Sequence, residues 1–391
     1  AARGSEDHVQ RVLNKTISLE EYEALRGTVK AIGVTEKFRD VIRTFNVPEG
    51  ETPPGFRIES YLEDDGLLLV DLVRDISYDK NGMKRPTKII YSADSANPYE
   101  VEPFAKLIGN LTCNPGIVYD LFINNPEANV GGKFKTIEEV MTELGRILGP
   151  GCDISVELNN PFEEDFNKIL DECEKFKEIL TEYRLVIKVP HMGPVNPSNV
   201  GELLTGDKKF SVRFDEPTTV DAFRSHNLAL KLREHGYRIN YTLMFEPYQT
   251  ALALQAKPAF INSFVRHRLK QSVQMKNLLA FYEISKDPKH LEDLRTMMLG
   301  ADLLSKNETN ADLLKVKHYA EELIKYRKID EHEGSDGLDS ARHNLRLLKQ
   351  SNLPDTRLII CSMEGPLNYP DIDKMLSEPE FADVVDRVVI T

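Results

Sequence analysis

Arg184-Leu185-Val186-Ile187-Lys188-Val189-Pro190 is a short apolar run of mostly β-branched residues with one lysine inside it. A polar helical pattern precedes it, and a Gly/Pro/Asn-rich loop from His191 to Asn199 follows it. An apolar run of this length between turn signals reads as a buried parallel strand. Lysine is rarely buried without a reason. Apolar surroundings favour the neutral amine, and a neutral amine attacks carbonyls. Lys188 is therefore a candidate Schiff-base nucleophile at the C-terminal end of a strand. Taken alone, the pattern suits better a lysine that snorkels out of a strand end. The neighbouring segments change that balance.

On both sides of this run, strands alternate with helices. Candidate strands are 88–93, 108–113, 153–158, 184–190, 238–244, 259–264, 357–361 and 386–390. Helical patterns lie at 115–123, 136–147, 162–182, 219–236 and 247–256, with several more between 268 and 350. Eight strands with intervening helices predict an α/β fold, a (β/α)8 TIM-type barrel spanning 86–391. Residues 1–85 read as an extension. Its first 46 residues have helical spacing, including a capping-box pattern at Ser18 and Glu21. Leu67 to Val73 and Lys88 to Tyr91 read as a hairpin around Asn81-Gly82. An EF-hand at Asp79, Asn81 and Gly82 is excluded, because Lys88 stands where the bidentate glutamate is needed. Two insertions interrupt the repeat, near 191–218 and 268–355. The second carries an acidic cluster around His332, read as a solvated loop in preference to a metal site.

The bulk numbers exclude several functions. The chain has 391 residues, 41% hydrophobic and 29% charged, with a net charge of −13. A nucleic-acid partner is not expected. No apolar run has the length of a membrane span. Cys113, Cys152, Cys173 and Cys361 form no CxxC pair and suggest free thiols in a reducing compartment. The expected location is cytoplasmic, or an organelle matrix or plastid stroma after removal of a transit peptide. The final apolar run, Arg387 to Thr391, suggests a C-terminus cut short of a last helix. No helix-borne His pair and no Cys/His cluster has ligand spacing, so neither metal nor cofactor is expected.

The first six candidate strands end in polar groups: Asp94; Thr112 and Asn114; Glu157; Lys188; Asn240 and Thr242; Asn262. One such residue is ordinarily a cap or turn. Six at successive strand ends suit Schiff-base aldol chemistry. An amine forms the imine, a carboxylate moves protons, amides and hydroxyls hold the substrate, and a second carboxylate deprotonates the hydroxyl.

Within 86–270, and more weakly 355–391, the chain resembles the transaldolase family of class I aldolases, including its fructose-6-phosphate aldolase relatives. The family's Asn-Pro matches Asn114-Pro115, and its lysine strand matches Val186 to Pro190. Its Asn-x-Thr-Leu-x-Phe segment matches Asn240, Thr242, Leu243 and Phe245, with Gln249 following. Its Ile-Ser-Pro-Phe-Val-Gly-Arg segment matches Ile261 to His267 without a gap. The resemblance implies Lys188 as Schiff-base lysine and Asp94 as acid/base on the substrate hydroxyl. It implies Glu157 and Thr242 as holders of a catalytic water, and Asn114 and Asn240 as substrate contacts. Asn262 stands for the family's serine, and Phe264 matches the transfer-competent members.

The implied function is transfer or cleavage of a dihydroxyacetone-type unit of a sugar or sugar phosphate, as in the pentose phosphate pathway. The alternative is an idle barrel used as an assembly subunit. The extension and insertions would then build a homo-oligomer or larger assembly. The family's phosphate-binding arginine falls on His267, flanked by Arg266 and Arg268, and its strand-seven arginine has no counterpart in Cys361 to Asn368. The substrate's distal end is thus expected to differ from the usual sugar phosphate. At most one of Arg266 and Arg268 is expected to reach the mouth.

Overall fold

The computed structural model describes residues 1–13, 17–48, 51–78, 84–192, 222–362 and 364–391. Eight strands close a barrel in chain order: β4 (Ile90–Asp94), β5 (Ile108–Cys113), β6 (Asp153–Glu157), β7 (Leu185–Pro190), β8 (Arg238–Thr242), β9 (Phe260–Phe264), β10 (Arg357–Cys361) and β11 (Val388–Ile390). The pairs run parallel, with Lys188 opposite Asn240 and Asn262 opposite Ile359. The chain is therefore a TIM-type barrel, and all eight strands fall within two residues of the sequence reading. The expected helices follow at Ile137–Leu148, Phe166–Leu180, Arg224–Glu234 and Pro247–Ala253, with a wide π-type turn at Gly116–Ile123.

By density of internal contacts the chain divides into two units, Ala1–Val156 with Glu174–Leu185, and Glu157–Cys173 with Val186–Thr391. The first carries β4 to β6 and a three-stranded sheet of β1 (Ala31–Val34), β3 (Leu67–Arg74) and β2 (Phe56–Leu62), in that spatial order. Two expectations fail here. Residues 1–46 are not helical throughout, because Ala31–Val34 pairs in parallel with β3. The partner of β3 is not 88–91 but β2, antiparallel, through a turn at Glu63–Gly66. In that turn Leu67 N–H donates to Asp65 Oδ1 at 2.9 Å, and Gly66 takes φ +88°. Tyr78 and Lys84 do form an isolated antiparallel bridge. Residues 79–83 between them, with the excluded EF-hand positions, lie outside the described residues, as do 193–221 of the first insertion.

The small sheet is held by a core of its own. The helix Glu36–Thr44 starts at Thr35, whose Oγ1 accepts from Phe38 N and donates to Asp71 Oδ1 at 2.6 Å. Phe38, Val41 and Ile42 bury against Val34, Phe56, Val70 and Leu72. Each large side chain fully buried contributes about 1.5–3 kcal/mol. Tyr183 packs on the same cluster and donates its hydroxyl to Asp40 at 2.8 Å. The Ser18–Glu21 capping box forms as read. Arg74, leaving β3, donates to Asp153 Oδ1 and Pro150 O at 2.8 and 2.7 Å, which ties the sheet to the start of β6.

The second unit carries β7 to β11. Most of the 268–355 insertion is a three-helix layer, His267–Ser285, Lys289–Gly300 and Leu313–Tyr326, closed on Met275, Leu279, Leu291, Leu294, Met298 and Val316. The His332 segment is a short helix, His332–Ser335, not an open loop. Arg342, almost wholly buried, spans Asp336 and Glu378, and Arg346 spans Glu333 and Glu380. No helix among the described residues is long and apolar enough to cross a membrane.

Candidate active site

Strand alternation decides which side chains enter the barrel. On β7, Val186, Lys188 and Pro190 share one face, while Leu185, Ile187 and Val189 share the other. Lys188 is 5% exposed, and its Nζ lies 3.6 Å from Glu157 Oε2 at the end of β6. On β8, Asn240 sits opposite Lys188 and Thr242 opposite Pro190. On β9, Asn262 Nδ2 donates to Thr242 Oγ1 at 3.2 Å. Glu157, at the last position of β6, and Lys188, Asn240, Thr242 and Asn262 on β7 to β9 thus all belong to the second unit and lie on consecutive strands. Buried polar groups are normally partnered. Yet Asn240 Nδ2 and Oδ1 and Asn262 Oδ1 are buried with no hydrogen-bond partner among the described residues. Such groups fit a ligand that hydrogen-bonds to them.

The other predicted positions are less uniform. Asp94 is exposed at the end of β4, in register with Thr112, which is buried on β5. Asn114 Oδ1 accepts from Ile117 N at 2.9 Å, a cap on the turn that follows β5. Asn110, on the same strand, donates to Ser92 Oγ at 2.9 Å and accepts from Ser155 Oγ at 3.3 Å. That polar link between β4, β5 and β6 was not expected from sequence. Phe264 is half-buried, with its ring 4.8 Å from Phe245, and Phe245 lies 4.5 Å from His267. His267 meets Gln271 at 3.0 Å, and burial lowers its pKa.

Neither Arg266 nor Arg268 offers an unpaired guanidinium. Arg266, at φ +63°, turns away to Glu364 at 2.8 Å and to Asp371. The turn requires glycine at 337: a Cβ there would lie 2.7 Å from Arg266 Cγ, and Gly337 O accepts from Arg266 N at 2.8 Å. Arg268, 6% exposed, pairs with Glu246 at 3.3 Å and Asp339 at 2.8 Å. Arg327 completes the cluster, reaching Glu246 at 3.0 Å. Burial raises the Glu246 and Asp339 carboxyls and lowers the Arg327 guanidinium, while mutual attraction offsets part of the penalty.

Two features behind the lysine strand go beyond the sequence reading, which named Gln249 only as part of a motif. Gln249, fully buried, accepts from Phe245 N and Glu246 N at 2.8 and 2.9 Å. It donates to His191 O and Leu243 O at 2.6 and 3.1 Å. One amide therefore fastens the ends of β7 and β8, including Leu243 at φ +56°. On the outward face, His191 meets the Tyr241 ring edge-on at 4.8 Å, and Tyr241 Oη lies 3.3 Å from His226 Nδ1. Burial, with His226 nearby, pushes the His191 pKa down to about 3. Among the described residues no group of three or more His, Cys, Asp or Glu side chains is arranged to hold a metal ion.

No family model matches the chain, and no curated protein matches its sequence. The functional reading therefore stands on the residues themselves.

Proposed function

We propose that the chain is a transaldolase-like Schiff-base enzyme that transfers or cleaves a dihydroxyacetone-type unit of a ketose. The observation that carries this reading is Lys188, buried in a barrel strand with Glu157 3.6 Å from its Nζ. In this reading Lys188 Nζ yields a proton to Glu157 and attacks the ketose carbonyl carbon, giving a carbinolamine. Glu157 returns a proton to the departing hydroxyl as the imine forms and water leaves. Asp94 takes the proton from the hydroxyl whose carbon–carbon bond breaks. The electron pair of that bond is held by the iminium as an enamine, which then attacks an aldehyde or is protonated. Asn240, Thr242 and Asn262 supply the neutral donors and acceptors that a polyhydroxylated carbon chain needs. The self-contained pairing of Arg266 and Arg268 does not count against this chemistry, because no step of it uses a guanidinium.

Turnover of a ketose donor with an aldehyde acceptor, with a chelator present, tests the proposal. Activity is expected to persist in the chelator and to vanish in Lys188→Met. Full activity of Lys188→Met would refute it, and so would activity that a chelator abolishes and a divalent ion restores. A folded protein that neither turns over ketoses nor forms an imine would favour the idle-barrel alternative.

A further inference from the structure

We infer that the substrate is an unphosphorylated, uncharged polyhydroxy ketone, because among the described residues the cations around the end of β9 are each ion-paired to a carboxylate, while the amides of Asn240 and Asn262 keep unpartnered atoms. The inference rests on the Schiff-base reading and narrows its substrate class. Among the described residues, Arg266, Arg268 and Lys270, which follow β9, and Arg327 form one ion-paired set. Facing them are Glu246, Asp339, Glu364 and Asp371, four carboxylates for four cations. Lys270 reaches Glu364 at 2.6 Å, opposite the oxygen that holds Arg266. Glu246 stands between Arg268 and Arg327, with one carboxylate oxygen toward each. Arg268 and Arg327 are 6% and 3% exposed, so an incoming anion would have to displace a carboxylate already in place. A charge-assisted site for a phosphate ester needs two free donors side by side in one fork, and each of these guanidinium groups already faces a carboxylate, with Nε of Arg268 and of Arg327 left without a hydrogen bond.

The second observation is independent. Asn240, on the strand beside Lys188, and Asn262, one strand further on, present buried amide atoms with no partner among the described residues. An amide carries donor and acceptor together and no charge. That combination suits hydroxyl groups, each of which also donates and accepts. Around Lys188 the site thus offers complements for hydroxyls, and at its rim a closed set of ion pairs.

The experiment compares kcat/KM of the full chain for fructose and for fructose 6-phosphate with one aldehyde acceptor, and runs borohydride trapping with each donor. The expected result is that fructose is used at least as well as its phosphate ester, and that millimolar inorganic phosphate does not inhibit. Glu246→Gln should uncover Arg327 and leave Arg268 with Asp339 alone, and Glu364→Gln should uncover Lys270 and leave Arg266 with Asp371 alone. Either substitution should raise the relative kcat/KM for the ester about 10- to 100-fold, chiefly through KM, and make inorganic phosphate a competitive inhibitor. Glu364 is the more exposed of the two, so its variant reports even where loss of Glu246 impairs folding. A wild-type preference for the ester above about 100-fold, with Lys188 still trapped by both donors, would overturn this inference and leave the Schiff base standing. Unchanged donor preference in both folded variants would overturn it as well. Failure of either donor to label Lys188 would remove the Schiff-base reading and the inference with it.

Discussion

Replacing Gln249 by Met isolates the link between the ends of β7 and β8. Met nearly matches glutamine in shape, so the cavity contribution is small. It can make none of the four hydrogen bonds. Two backbone N–H groups, of Phe245 and Glu246, and two carbonyls, of His191 and Leu243, lose their side-chain partner. Each such bond contributes about 0.5–1.5 kcal/mol net, and more where the orphaned group stays buried. Leu243 also loses the contact that holds its left-handed backbone. The expected destabilisation is about 2–5 kcal/mol. Urea unfolding followed by circular dichroism reads it as a lowered midpoint with an unchanged slope. Since Thr242 directly precedes Leu243, turnover should fall as well. A loss below about 1 kcal/mol would refute the claim that this amide fastens the two strand ends.

Three further outcomes follow from individual side chains. His191 has its pKa pushed from 6.5 to about 3, so the folded chain binds fewer protons than the unfolded chain between those values. Its contribution to stability is therefore whole above pH 6.5 and is lost progressively as pH falls toward 3, up to roughly 5 kcal/mol. His191→Phe should flatten that dependence, and an NMR titration midpoint for His191 above 6 would contradict it. Arg342→Met leaves Asp336 and Glu378 facing each other without their cation and should cost about 3–5 kcal/mol in urea unfolding; a neutral effect would show that the pair is not stabilising. Asp94→Asn should block carbon–carbon cleavage yet allow imine formation, whereas Glu157→Gln should slow imine formation itself by about 10²–10⁴-fold in single-turnover measurements. Equal, near-wild-type rates in both variants would show that these carboxylates have been given the wrong roles.

The barrel was legible because each of its strands is an apolar run of strand length between turn signals, and the helices between them keep a separate period. The small sheet was not. Ala31–Val34 is four residues long and sits between helical patterns, and only pairing with β3 makes it a strand. Phe56–Leu62 did carry a local signal, apolar residues at 56, 58 and 62, and Asp65-Gly66 marks its turn. The Asn81-Gly82 turn drew the pairing away from it.

At the site, Lys188, Glu157, Asn240, Thr242 and Asn262 were legible because strand alternation fixes the face of each. The fate of Arg266 and Arg268 was not, since their partners lie as far as 105 residues away. Local spacing carries no trace of such pairs. Gln249 was visible only as part of a motif; its role depends on four backbone groups that meet through the β7 and β8 ends.

The most direct test of the account is borohydride reduction of the full chain in the presence of dihydroxyacetone, followed by peptide mass spectrometry. The account predicts one reduced adduct, on Lys188, absent without donor and absent in Lys188→Met. Adduct on another lysine, with Lys188→Met still trapping donor, would contradict it.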